Sequence, residues 1–191
     1  MAHPKPISFS EAERLSTIFD SENREEWQRT SLILETLDLK PDMIIADVGA
    51  GTGYFASQFA DLLPNGLVYA LDTEPNMVSY MGNRFQTEGR SNIRPGLSTH
   101  IDPCLPENLD VVFLANVYRF IQKRDEFLAN LHNQVKPETL VMFVDFRGGH
   151  ARVSPQQAMD EVVKAGFVIE DMNMDGCPDH YILRFRKPRL A

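Results

Sequence analysis

Five residues stand where they could do chemistry together: Asp47, Gly49, Gly51, Gly53 and Asp72. The three glycines alternate directly behind a short apolar run. Glycine alone turns freely at positive φ and lets backbone approach a ligand closely. Phe55, Phe59, Leu62 and Leu63 follow at i, i+4, i+7 and i+8, the spacing of one helix face. Strand, glycine turn and helix in that order would bring free backbone N–H groups and the positive helix end up to a ligand. Asp47 lies inside the strand end, two residues before the first glycine. Asp72 closes the next apolar run, where a carboxylate can accept hydrogen bonds from both hydroxyls of a ribose. The spacing Gly-x-Gly-x-Gly brings the third glycine one residue earlier than the dinucleotide fingerprint Gly-x-Gly-x-x-Gly.

Periodicity supplies the elements that must hold these residues. Residues 43–48 are too short for a helix and rich enough in branched side chains for a buried strand. Before them, residues 1–9 read as a flexible arm, residues 11–19 as a short helix, and residues 23–37 as a longer helix ended by Lys40-Pro41-Asp42. Trp27, Ile33, Leu34 and Leu37 can form one broad face of that helix. Trp27 is expected to pack it on the sheet, and Arg24, among acidic neighbours, to be a surface charge. Residues 67–71 make a second strand. Residues 76–88 make a helix that turns Met77, Tyr80, Met81 and Phe85 inward and stops at Gly89. Pro95 and Gly96 interrupt a third strand, residues 93–97, and suit an edge position. A loop follows over residues 98–108, then a strand (109–115), a helix (123–135), a strand (139–146) and a helix (153–165). In that last helix Ser154 is the cap, Pro155 the first residue, and Met159, Val162 and Val163 the inward face. Two strands, residues 167–174 and 180–186, close the chain as a hairpin. Strands alternating with helices imply a doubly wound α/β fold.

The pattern Asp47-x-Gly49-x-Gly51-x-Gly53 resembles motif I of the class I S-adenosylmethionine-dependent methyltransferases. The stretch from Ile18 through Arg24, Trp27 and Gln28 to Phe55 is similar to the start of a small bacterial branch of them. The resemblance runs over residues 18–186. It implies a Rossmann-like, seven-stranded, mostly parallel sheet with a C-terminal antiparallel hairpin. It also implies an arm with lid helices over residues 1–40 and a cofactor-binding domain over residues 41–191. By that resemblance S-adenosyl-L-methionine is the cofactor and S-adenosyl-L-homocysteine the product. Asp47, Gly49, Ala50, Gly51, Gly53, Asp72, Thr73, Ser98, Thr99 and Asn116 are the expected cofactor contacts, with Asp47 serving the methionine ammonium, Asp72 the ribose, and Ser98 and Thr99 flanking the adenine. Arg24, Trp27 and Gln28 would lie near the methionine end or the substrate mouth.

On the acceptor side the chain departs from its relatives. Where they carry an acidic residue and a His pair, it has Asn116 and then Arg119-Phe120, and Glu138-Thr139 replaces a Gly-Gly turn. Methyl transfer from a sulfonium asks the protein mainly to align donor and acceptor. An oxygen or nitrogen acceptor that must lose a proton needs a base. Tyr118, Asp145 and His150 are the candidate catalytic residues, near the carboxyl ends of two strands. His100-x-Asp102-x-Cys104 alternates in a loop with no second cluster to complete four ligands, so no metal site is expected.

The net charge of −8 argues against a nucleic-acid substrate. No apolar run approaches the roughly 18–20 residues of a membrane helix. Absence of an apolar leader and two widely separated cysteines point to the cytoplasm. The expected function is methyl transfer to a small, unidentified acceptor, in an assembly of unspecified size. The alternatives are a non-catalytic adenosyl-ligand binding protein and, by a glycine turn of different spacing, a nicotinamide-dependent oxidoreductase.

Overall fold

Residues 11–21 and 23–189 are described by the computed structural model. The arm expected over residues 1–9 lies outside them. Seven strands form one sheet in the order β3-β2-β1-β4-β5-β7-β6. They are β1 (Ile44–Val48), β2 (Leu67–Asp72), β3 (Ile93–Leu97), β4 (Val111–Ala115), β5 (Leu140–Phe146), β6 (Val168–Asn173) and β7 (His180–Arg186). β1 is apolar almost throughout because both its faces are covered. It pairs in parallel with β2 on one side and β4 on the other. Strand order therefore reverses beside β1, and such a reversal opens a crevice at the carboxyl ends of the strands. β3 is an edge strand, a place that suits Pro95 and Gly96.

The seven-stranded, mostly parallel α/β expectation is met, and so is the closing hairpin. β7 runs antiparallel to both β5 and β6, with His180 opposite Phe146. That register carries the first residue of β7 to the carboxyl end of β5. Because β7 is internal, its arginines are not an open edge: Arg184 and Arg186 both pair with Glu170 on β6.

Helices cover both faces. The helices α3 (Thr30–Leu37), α4 (Tyr54–Leu62) and α5 (Pro75–Thr87) pack Ile33, Phe55, Phe59, Met81 and Phe85 on one side. On the other, α6 (Arg124–Gln134) and α7 (Pro155–Lys164) pack Phe127, Leu131, Ala158 and Val162. Ser154 caps α7 by accepting the Gln157 N–H at 3.1 Å. Leu62 and Val163, both expected inward, are exposed, and Leu63 and Ala158 hold those places.

The single helix expected over residues 23–37 is two, α2 (Arg24–Gln28) and α3, broken at Arg29 with φ +55°. The break lets α2 turn Arg24 and Gln28 inward, while α3 turns Ile33 and Leu37 to the core. The Glu25 carboxylate accepts the Ser31 N–H at 2.9 Å and so satisfies a donor in the first turn of α3. Ahead of them α1 (Ala12–Phe19) packs Ala12 and Leu15 on Met77 of α5.

Candidate functional site

A cavity of about 960 Å³ opens at the carboxyl ends of β1, β2 and β4. Gly49, Ala50 and Gly51 form its floor, and Asp47, Asp72, Thr73, Ser98, Thr99 and Asn116 also line it. The N–H groups of the three glycines are already used within the protein. Gly49 and Ala50 both donate to the Leu71 carbonyl, Gly51 donates to Asp72 Oδ2 at 2.8 Å, and Gly53 donates to the Ala50 carbonyl. The turn ties β1 to β2 and offers open space above it. Gly49 sits at φ +75°, and a Cβ there would lie 2.3 Å from Val117 Cγ2. Gly53 does not line the cavity: at φ +87° it starts α4, and a Cβ would lie 2.5 Å from Phe85 Cζ.

Asp47 is 2% exposed, and its Oδ2 has no hydrogen-bond partner. Burial pushes its carboxyl up to about 7, and Asp72 adds to the rise; the Arg24 guanidinium and the Ala56 N–H at the start of α4 work the other way. Burial also raises Asp72, whose carboxylate accepts the backbone N–H groups of Gly51 and Glu74.

The N-terminal segment forms the opposite wall. Arg24 is not a surface charge. It is 6% exposed, its guanidinium carbon lies 4.0 Å from the centre of the Tyr54 ring, and it donates to Gln28 and to the Phe19 carbonyl. Burial lowers it to about 10, which leaves it charged at neutral pH. Trp27 meets the sheet at the first residue of β7. It lines the cavity, half-buried, with its ring 5.7 Å from that of His180. Asp20, just past α1, accepts from Arg84 of α5 at 2.8 Å and from Thr52 of the glycine turn at 3.2 Å. The segment is thus latched to α5 by an ion pair and to the turn by a hydroxyl.

At the far end Asn116 adopts φ +61°, which lets its N–H reach the Val144 carbonyl on β5. Asn116 Oδ1 accepts from Arg119 at 2.9 Å and lies 2.8 Å from His180 Nε2. His180 is 4% exposed with Nδ1 unpartnered; burial, then the Arg119 charge, lower its pKa to about 4, so the ring is neutral at pH 7. His180, Arg119, Phe120, Phe146 and Arg152 line this end together with Trp27.

The three expected catalytic candidates lie elsewhere. Tyr118 is buried with its ring stacked on Phe143, and its hydroxyl donates to Glu161 at 2.6 Å. Burial, then that bond, raise the phenol above its usual range. Asp145 is buried behind Asn116 and accepts from the Arg119 guanidinium and from its N–H. His150 is exposed on a loop outside the cavity. Asp102, weighed above as a metal ligand, accepts from the Cys104 N–H and from Gln134 and so holds its loop. Among the described residues, no helix is long and apolar enough to cross a membrane.

The sequence profile of the methyltransferase-domain family matches residues 46–143, just over half of the chain and all of the glycine turn. The chain belongs to the class I S-adenosylmethionine-dependent methyltransferases. Membership brings S-adenosylmethionine as cofactor, and the cleft fits it: a buried carboxylate oxygen without a partner suits the ammonium, and a carboxylate at the end of β2 suits the ribose. A malonyl-[acyl-carrier protein] O-methyltransferase of Acetivibrio thermocellus is 24% identical over 80% of this chain and 53% of its own length. A protein-L-isoaspartate O-methyltransferase of Pyrococcus horikoshii is 32% identical over 33% of this chain and 28% of its own. The chain thus spans about half or less of these curated relatives. The crystal structure of a SAM dependent methyltransferase from Aquifex aeolicus superposes with a TM-score of 0.82, at 22% identity, over 94% of this chain and 98% of the other, and shares the fold.

Reading the sequence alone missed Arg24 as a buried residue, and missed His180 and Arg152 at the site. His180 had a signal: a final strand inserted antiparallel beside β5 must begin where the parallel strands end.

Proposed function

We propose that this protein transfers the methyl group of S-adenosylmethionine to a small-molecule acceptor in the cleft above the glycine turn. The observation that carries the proposal is the buried Asp47 carboxylate, with one oxygen unpartnered beside that turn, in a cavity of about 960 Å³. Small-ligand sites run from about 300 to about 1,000 Å³, so cofactor and a compact acceptor fit together. Asp47 takes the methionine ammonium. Gly49, Ala50 and Gly51 keep side chains out of the floor, and Gly53 closes the turn behind them. Asp72 takes the ribose hydroxyls with the lone pairs left by Gly51 and Glu74, beside Thr73. Ser98 and Thr99 flank the adenine, and Asn116 stands at the methyl end. The bound cofactor supplies an already activated methyl, so these residues have to align, desolvate and shield.

Within the segment expected as a lid, α1 and α2 cover the cleft, and the latch from Asp20 to Arg84 and Thr52 supports that reading. A net charge of −8 favours a small molecule over nucleic acid, and two unpaired thiols suit a cytoplasmic setting. The test is formation of S-adenosylhomocysteine, followed by mass spectrometry, when the protein and S-adenosylmethionine meet pools of acids, phenols, amines and thiols. Turnover with one pool, abolished by Asp47→Ala, is expected. Cofactor binding without turnover on any pool would favour a non-catalytic adenosyl-binding protein.

A further inference from the structure

Four cations line the cavity, and three are committed. Arg24 donates to Gln28 and to a backbone carbonyl, Arg119 is paired with Asp145, and Lys123 is paired with Glu126. Arg152 is exposed and makes no ion pair among the described residues. Its guanidinium carbon lies 4.9 Å from the centre of the Phe120 ring, and that of Arg119 lies 4.7 Å from the same ring. An arginine laid on an aromatic face is held in place while its N–H donors stay available to a planar anion.

The acids lining the cavity are Asp47, Asp72, Glu74 and Asp179. Asp47, Asp72 and Glu74 belong to the cofactor end. Asp179 adjoins His180 and makes no ion pair with Arg152. The acceptor end is therefore where a basic group waits, in a protein whose net charge is −8. Its other walls are aromatic. The Trp27 and Phe146 rings lie 5.7 and 6.2 Å from the His180 ring, which carries an unpartnered, buried Nδ1. Cavity-lining rings favour a flat apolar partner.

We infer that the methyl acceptor is a planar aromatic acid, its carboxylate held by Arg152 with Arg119 beside it, and its ring against Trp27 and Phe146. This rests on the methyl-transfer reading for the identity of the second ligand in the cleft. The probes are 4-hydroxybenzoate and its neutral isostere 4-hydroxybenzamide. Each is titrated calorimetrically into wild-type protein and Arg152→Gln, with and without saturating S-adenosylhomocysteine. Trp27, the single tryptophan, reports on the same end by fluorescence.

The acid is expected to bind at least about tenfold tighter than the amide, and Arg152→Gln is expected to shrink that ratio below about threefold. Equal binding of acid and amide, saturation by neither, or an undiminished preference in Arg152→Gln overturns the inference. Because Arg152 is exposed, the variant can be checked for an unchanged melting temperature before use. Failure of S-adenosylhomocysteine to bind, with Arg152-dependent binding of the acid retained, would sink the cofactor reading and leave the anion site standing.

Discussion

Burying Asp47 at the end of β1 costs free energy that the Arg24 guanidinium offsets only in part, and that cost makes the residue a pH-dependent handle. Its folded pKa of about 7 stands above the reference value of 3.8. Between those values the native state holds a proton that the unfolded chain has released. The contribution of Asp47 to the stability of the cofactor-free protein therefore falls as pH rises from about 4 to about 7, while His180, lowered by burial to about 4, works the other way over the lower part of that window. Asp47→Asn should remove the Asp47 contribution, read as the difference between wild-type and variant urea midpoints across the window. A bound ammonium reverses the preference, so cofactor binding near pH 6 should expel a proton, seen as a binding enthalpy that changes with buffer. A slope unchanged in Asp47→Asn, or no proton release, would mean that the carboxylate does not face the ligand. Asp47, Asp72 and the glycines were legible in the sequence because motif spacing names them directly. Tyr118, Asp145 and His150 misled because position near a strand end does not tell which way a side chain points. Tyr118 turns to α7, and Asp145 lies behind the cavity wall holding Arg119.

At the scale of elements, the strand–turn–helix unit is held by close approach rather than by donors offered to a ligand. A side chain at Gly49 would meet Val117 and would also have to adopt φ +75°. Gly49→Ala should cost about 1–3 kcal/mol and weaken cofactor binding. Gly149→Ala, where a Cβ meets nothing within 4 Å, should be close to neutral in the same thermal denaturation series. Equal effects of the two would show that the turn tolerates a side chain. Most elements were legible because their apolar periods are clean, as in β1 and α5. The break between α2 and α3 was not, since Arg29 is neither glycine nor proline and nothing local marks it. Tertiary demand sets it: Arg24 must line the cleft with Gln28 buried beside it as its acceptor, while Ile33 and Leu37 face the core.

Over the whole molecule, the reversal of strand order at β1 sets where the cleft opens, and β7 completes its far end. Strand alternation and the closing hairpin made the sheet legible from sequence. The far end was legible only at Asn116 and, by resemblance, Trp27; Arg152 and His180 come from remote parts of the chain, and only the folded sheet brings them there. The outcome is a cleft with Asp47, Asp72 and Glu74 at one end and, at the other, Arg119 and Arg152 against the Phe120 ring with Asp179 beside His180. Calorimetric titration with S-adenosylmethionine, S-adenosylhomocysteine and NADH, on wild type and Asp72→Ala, tests the central claim most directly. Both adenosyl compounds should bind at one site per chain, about 10- to 100-fold more weakly in Asp72→Ala, with no heat from NADH. Absence of binding by both adenosyl compounds, or saturable binding of NADH in their place, would contradict the account.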